Sequence, residues 1–258
     1  MHQTTLTLNG TRTPTWTDGA GQPLLLLHGS ADTPLAWQAV ATLLAPEFQV
    51  WAPALPPLSG GLAVDHDLPW LDTVMAATGA RVLAGHSYGA LLALRWALAH
   101  PGRLDRLVLA EPIAWGIGRG LPGLDARLDE LDRECVARFA QGDIDTPMRW
   151  LVDYWNGAGF WQNLPDRVRA HLSAGSARTH AEVASGGADR THAAELAHLA
   201  VATHLLAGDQ STSESQLISK TLAAAIPGAT LTVIPGAGHQ FLRSHAQVVA
   251  QACAGKAA

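Results

Sequence analysis

Two cysteines in 258 residues are too few for a disulfide framework, and Cys135 and Cys253 lack the C-x-x-C spacing of zinc and redox sites. Both read as ordinary thiols. Charge is sparse as well. Asp, Glu, Lys and Arg make up 15% of the chain with a net charge of −5, so there is no basic footprint for nucleic acid and no polybasic or lipidation signal for a membrane. No apolar run approaches the roughly 20 residues of a membrane span. The opening "MHQTTLTLNG" shows neither the basic start nor the apolar core of a signal peptide, and a cytoplasmic protein is expected. Among the 12 histidines, His66, His171, His180, His192 and His198 show no paired spacing with carboxylates that would mark a metal site. No G-x-G-x-x-G pattern announces a dinucleotide. Neither metal nor cofactor is expected, and a small-molecule ligand is the better expectation.

Apolar residues are what the chain has, at 48%, which argues against disorder and for a substantial core. The length suits one large α/β domain with an insertion, or two small domains. "TTLTLNG" and "TPTWTDG" alternate β-branched residues and each stops at Gly, which predicts an N-terminal hairpin. The pattern then changes to brief apolar runs that end in small or polar residues: "QPLLLLHGS", "EFQVWAPAL", "ARVLAGHS", "LDRLVLAEP", "VATHLLAGD" and "ATLTVIPGAG". Such runs suit parallel strands covered on both faces. Helical patterns separate most of them: "LAWQAVATLLA", "LPWLDTVMAATG", "YGALLALRWALAHPG", "SESQLISKTLAAAIPG" and "FLRSHAQVVAQACAG". The alternation predicts a doubly wound, mostly parallel sheet.

One interval breaks the rhythm. Between Pro112 and about Leu199 no convincing strand occurs, and the residues are helix formers mixed with aromatics. We expect residues 113–198 to form an inserted helical lid on a core made of 1–112 and 199–258. Within it Trp150, Tyr154, Trp155, Phe160 and Trp161 gather in one stretch. They are expected chiefly as the lid's own core, with some facing a pocket beneath it.

The motif that carries chemistry is "LAGHSYGALLAL", where Gly85, His86, Ser87, Tyr88 and Gly89 fit G-x-S-x-G between a predicted strand and a predicted helix. A sharp strand-to-helix turn holds such a serine in strained geometry at a helix N-terminus, where unpaired amides favour developing negative charge. The side chain of His86 is expected to point away from the apex, in a packing or hydrogen-bonding role.

On these residues the chain resembles the α/β-hydrolase superfamily over nearly its whole length outside the lid. The resemblance implies that Ser87 is a nucleophile and that "LLLLHGSADTPLAW" is the loop whose Ser30 amide supplies one oxyanion donor, with the Tyr88 amide as the other. His28 is then a loop-stabilising residue. His239, on a Gly-rich turn after the last predicted strand, matches the superfamily's catalytic histidine. Many members carry an aspartate three residues beyond a Gly like Gly208, yet that position here is Ser211. Asp209 stands nearby in a different part of the turn. A subset, which includes the haloalkane dehalogenases, instead keeps a carboxylate directly after the strand that follows the nucleophile helix; here that residue is Glu111. Glu111 is preferred as the acid and Asp209 is the alternative.

The resemblance implies acyl chemistry, because a serine nucleophile differs from the aspartate that dehalogenases use. The expected activity is hydrolysis of a small, mostly apolar carboxylic ester or related acyl compound through an acyl-enzyme. A lactonase, thioesterase or carbon–carbon bond hydrolase could use the same triad. Some relatives use the pocket only to bind a ligand, which is the alternative of another class. Homodimerisation is left open.

Overall fold

The computed structural model describes residues 1–58 and 60–256. Eight strands form one sheet: β1 (His2–Leu8), β2 (Thr11–Asp18), β3 (Gln22–Leu27), β4 (Phe48–Pro53), β5 (Val82–His86), β6 (Arg106–Ala110), β7 (Ala202–Gly208) and β8 (Thr230–Ile234). Their order across the sheet is β1-β2-β4-β3-β5-β6-β7-β8. The first two pair antiparallel, with His2 opposite Thr17 and Leu8 opposite Thr11, and β2 runs antiparallel to β4. From β4 to β8 all pairs are parallel. The sheet is therefore the doubly wound α/β arrangement expected from the strand patterns, with the hairpin attached at one edge.

Continuous apolar runs such as Leu24–Leu25–Leu26–Leu27 make sense because successive side chains enter opposite layers. Leu25 and Leu27 join Leu83, Leu107, Leu109 and Leu205 in a core under one set of helices. Leu24 and Leu26 join Val82, Ala84, Val108 and Ala110 in a second core on the other face. The first layer is covered by α2 (Ala63–Thr78) and α3 (Tyr88–Ala99), and the second by α1 (Gln38–Leu44).

Between β6 and β7 the chain is helical: α4 (Leu124–Leu131), α5 (Arg138–Ala140), α6 (Asp145–Asn156), α7 (Phe160–Asn163), α8 (Asp166–Ala174), α9 (Ser176–Ala188) and α10 (Ala193–Leu196). A π-helical turn, Asp132–Ala137, joins α4 to α5. After β7 come α11 (Ser213–Ala225), α12 (Phe241–Ser244) and α13 (Ala246–Ala254). Among the described residues no helix is long and apolar enough to cross a membrane.

Two helices depart from the sequence reading. The predicted "LPWLDTVMAATG" helix begins earlier, at Ala63, with Pro69 inside it. Pro69 is exposed, so the hydrogen bond that its missing N–H forfeits lies on the solvent side, where water can serve the freed carbonyl. The last predicted helix is two pieces, broken at His245, whose backbone leaves the helical region at φ −124° and ψ 36°.

Candidate active site

The C-terminal ends of β3, β5, β6, β7 and β8 lie side by side, and each delivers a residue of interest. Ser87 stands between β5 and α3 at φ 55° and ψ −116°, a conformation that costs an L-residue of order 1–3 kcal/mol. Two glycines make the turn sterically feasible. A Cβ on Gly85 would lie 2.2 Å from the carbonyl oxygen of Gly89, and one on Gly89 would lie 2.4 Å from that of Leu27. The Ser87 N–H donates to the Ala110 carbonyl at 2.9 Å, which ties the turn to the end of β6.

Glu111 is the first residue past β6 and also has a left-handed backbone, at φ 44°. That twist turns its side chain toward the loop after β8. Its Oε2 meets His239 Nδ1 at 2.5 Å, and its Oε1 accepts from the Gly208 N–H at 2.8 Å. Burial alone would push the Glu111 carboxyl up. The hydrogen bond and charge of His239, helped by Ser211 and the Gly208 amide, outweigh burial and hold it below the usual carboxylate range. Glu111 is thus ionised at neutral pH and accepts from the imidazole, which leaves His239 Nε2 as the proton acceptor.

Asp209 does something else. It is exposed, and its Oδ1 accepts from the Gly236 N–H at 2.7 Å, which pins the turn after β8. Ser211 is buried; its hydroxyl favours the ionised Glu111 while lying outside strict hydrogen-bonding geometry. The structure therefore brings His239 together with Glu111 and leaves Asp209 in a loop-shaping place.

His239 is held from three sides. The His86 Nε2–H donates to its carbonyl oxygen at 2.9 Å, and the two rings lie 4.7 Å apart. Burial, then the neighbouring His239, push His86 down to about 3, so His86 is a neutral prop. On the open side Trp155, from α6, stacks on the His239 ring at 5.3 Å with a 12° interplanar angle. Tyr154 and Trp155 also wall a cavity of about 460 Å³ that reaches Ser211, Gly238 and His239. Trp150 instead stacks on Tyr154 at 5.0 Å, and Phe160 is exposed. The aromatic group thus divides between packing and the cavity wall, and the sequence pattern could not assign its members individually.

The loop after β3 closes the other side. A Cβ on Gly29 would fall 3.0 Å from the Ser87 Cβ, so the loop passes against the serine and Gly29 permits that approach. Ala31 continues it at φ 56°. His28 Nδ1–H donates to the Gly29 carbonyl at 2.9 Å, and Nε2 accepts from the Leu55 N–H at 3.4 Å. Burial pushes His28 down to about 4, so it is a neutral strut for the loop. Ser87, Glu111 and His239 are each 2% exposed or less, and in such a setting charge and hydrogen bonding act with little screening by water.

One part of the neighbourhood had no signal in the sequence. The Tyr88 hydroxyl donates to Asp67 Oδ2 at 2.7 Å, and Arg178 of α9 ion-pairs with the same carboxylate. Arg178 Nε also donates to Glu182 at 2.8 Å. Burial, then Asp67, push the Tyr88 phenol up, so it remains a donor. These residues come from α2, α3 and α9, far apart in the chain, and no local spacing links them. Among the described residues no three His, Cys, Asp or Glu side chains gather as a ligand set for a metal ion.

A family model described as "Alpha/beta hydrolase family" matches residues 24–252. The pimeloyl-[acyl-carrier protein] methyl ester esterase of Aeromonas hydrophila is 37% identical over 97 residues, which cover 35% of this chain and 37% of that protein. The chain thus aligns with little more than a third of that relative's length. Two solved structures align over nearly the whole fold. A hydrolase from Pseudomonas aeruginosa has a TM-score of 0.70 and 24% identity, covering 97% of this chain and 96% of that one. A thermophilic esterase from Thermogutta terrifontis has a TM-score of 0.74 and 22% identity, covering 99% and 97%.

Proposed function

The chain belongs to the alpha/beta hydrolase family, and from that premise we propose that it is a serine hydrolase cleaving a small carboxylic ester through an acyl-enzyme. The observation that carries the reading is the Glu111–His239 pair, buried and 2.5 Å apart, with the His239 carbonyl hydrogen-bonded to His86, the residue that precedes a strained Ser87. Ser87 Oγ attacks the carbonyl carbon while His239 Nε2 takes its proton. Glu111 holds the Nδ1–H tautomer and balances the imidazolium that forms. The amides of Ser30 and Tyr88 receive the oxyanion, Tyr88 from the first turn of α3, where the helix dipole adds to its donor. His239 returns its proton to the leaving alkoxide; it then takes one from the attacking water and passes it to Ser87 Oγ as the acyl bond breaks, which releases the acid and restores the serine. Helices α4–α10 act as a lid, with residues 113–198 as its extent, and Trp155 joins it to the catalytic base. The esterase named for the Aeromonas relative supports an ester as the scissile group.

The test is labelling with a fluorophosphonate. Wild-type protein should be labelled at Ser87, and Ser87→Ala should not be. Parallel hydrolysis of p-nitrophenyl esters of graded acyl length should fall to background in the same variant. An unlabelled wild-type protein that hydrolyses no ester would overturn the proposal.

A further inference from the structure

Helix α9 reaches the catalytic end of the sheet at three points. Arg178 ion-pairs with Asp67, and its Nη1 donates to the second Asp67 oxygen at 3.2 Å and to the Pro56 carbonyl at 2.8 Å. Asp67 in turn accepts from the Tyr88 hydroxyl at 2.7 Å. One turn onward, Glu182 accepts from Arg178 Nε at 2.8 Å. Glu182 also lies beside the Ser30 hydroxyl, which favours the charged carboxylate while lying outside strict hydrogen-bonding geometry. Farther along, a Cβ on Gly186 would lie 3.1 Å from the Ile113 carbonyl oxygen, and the Ile113 N–H donates to the Ser87 carbonyl at 3.4 Å.

Tyr88 and Ser30 are the two residues whose backbone amides are proposed to receive the oxyanion. An amide has no rotamer of its own; its direction follows the backbone, and the backbone is held by whatever anchors the adjoining side chain. Both residues stand next to strained ones, Ser87 at φ 55° and Ala31 at φ 56°, and such conformations persist only where the surroundings over-determine them. Asp67, Tyr88, Glu182 and Ser30 are all buried, so the anchoring contacts act with little screening by water. A buried ion network often stabilises a fold no better than apolar packing does. Direction is what it adds, because charge-assisted hydrogen bonds to a planar guanidinium have a fixed geometry.

We propose that Arg178 and Glu182 are positioning residues which, from a single helix, fix the amides of Tyr88 and Ser30 at the spacing the oxyanion requires. Arg178 sets the Tyr88 side through Asp67, with its guanidinium carbon 5.9 Å from the centre of the Tyr88 ring. Glu182 sets the Ser30 side. The bond from Arg178 Nε to Glu182 joins the two halves, so a shift of α9 moves both donors together. Pro56 gives Arg178 a second hold on the Ser30 loop, because the N–H of the adjoining Leu55 donates to His28 of that loop. Removing one oxyanion donor outright costs about 100- to 1,000-fold in kcat, and a displaced donor costs part of that.

The positioning role rests on the serine-hydrolase reading, and the experiment separates the two. Each variant is assayed for kcat and KM on a p-nitrophenyl ester and for inhibition by a trifluoromethyl ketone. Ser87 Oγ adds to the ketone carbon, its proton passes to His239, and the carbonyl oxygen becomes an anion at the two amides. The matching trifluoromethyl carbinol fills the same space and forms no adduct. Glu182→Met should lower kcat about 10- to 100-fold and weaken the ketone by a similar factor, with KM and carbinol binding within about threefold of wild type. Glu182→Gln, which still accepts from Arg178 and donates to Ser30, should recover most of that loss. Tyr88→Phe and Ser30→Ala each delete one hydroxyl and keep the amide. Each should lower kcat and ketone affinity about 3- to 10-fold, and they carry the test should Glu182→Met not fold. Ser30→Ala added to Glu182→Met should cost little more than Glu182→Met alone, because the two share one contact. Folded variants with wild-type kcat and ketone affinity would overturn the positioning role and leave the hydrolase standing. Ketone and carbinol weakened alike would also overturn it, since a merely structural role disturbs both. Wild-type protein that neither hydrolyses esters nor forms the ketone adduct would refute the hydrolase, and the positioning role with it.

Discussion

Replacing Glu111 by Gln changes one atom, and the two hydrogen bonds of that side chain determine the cost. Oε1 accepts from the Gly208 N–H at 2.8 Å and Oε2 meets His239 Nδ1 at 2.5 Å. Glutamine offers one acceptor and one donor group. If its oxygen stays with Gly208, its NH₂ faces Nδ1 and forces the imidazole to carry its proton on Nε2, the atom that should accept from Ser87. If the amide flips, its NH₂ opposes the Gly208 N–H, donor against donor, in a buried place. Gly208 cannot shift to relieve that conflict, because its Cα packs against Ala237: a Cβ there would lie 2.1 Å from the Ala237 carbonyl oxygen. The first arrangement therefore prevails, and the wrong tautomer dominates. Loss of the correct tautomer and of the balancing charge costs roughly 10³- to 10⁴-fold in kcat, about 4–5 kcal/mol of barrier. Asp209→Asn is the control. Its amide oxygen can still accept from Gly236, and activity should stay within about threefold. The assay is kcat on a p-nitrophenyl ester, with circular dichroism to verify folding. Glu111→Gln keeping more than a tenth of wild-type kcat, or Asp209→Asn losing two orders of magnitude, would refute the assignment.

The same geometry sets three further outcomes. Trp155→Ala removes the π-face stacked on His239; support for the imidazolium worth about 1 kcal/mol should disappear, lowering kcat about fivefold, and Trp155→Phe should recover part of it in steady-state kinetics. The Glu182 carboxyl is raised to about 7 from about 4.3 in an unfolded chain, so the folded state binds this proton more tightly. Its unfavourable effect on stability is absent below about pH 4 and fully developed above about pH 7, by roughly 4 kcal/mol. Urea unfolding from pH 5 to 8 should show Glu182→Gln gaining on wild type as pH rises, and a constant difference would contradict this. Gly85→Ala places a Cβ 2.2 Å from the Gly89 carbonyl oxygen, and the clash should lower the melting temperature or abolish soluble protein.

The α/β architecture was legible because its signals are local. Short apolar runs ending in Gly, His or Asp, each with a helical period after it, identify parallel strands one at a time, and Gly85-His86-Ser87-Tyr88-Gly89 announces a turn that few other sequences make. The start of α2 was obscured by Pro69, which reads as a first-turn proline, although the helix begins at Ala63 and carries the exposed proline inside it. That misreading also hid Asp67 within the omitted turn. The choice between Glu111 and Asp209 as partner of His239 depends on which side chain crosses from one strand end to the next, a matter of the backbone at φ 44° that composition does not reveal. Arg178 and Glu182 were beyond reach for a simpler reason. Spacing i, i+4 on a helix of small residues looks like an ordinary surface ion pair, and only the packing of α9 over Tyr88 makes it buried.

Positive φ at non-glycine residues is concentrated around the site. Asn9 is in the first hairpin turn, whereas Ala31, Ser87 and Glu111 lie just past the ends of β3, β5 and β6. Each would be relaxed by glycine, so the residues that assemble this centre work against the resting stability of the sheet that presents them. A search for heat-tolerant variants that ignored turnover would tend to drift toward glycine at these three places, and at Ser87 and Glu111 it would remove the side chains of the proposed centre while relaxing the backbone. Heat tolerance in this chain is therefore better sought on the far edge, along β1 and β2, where no such conflict exists.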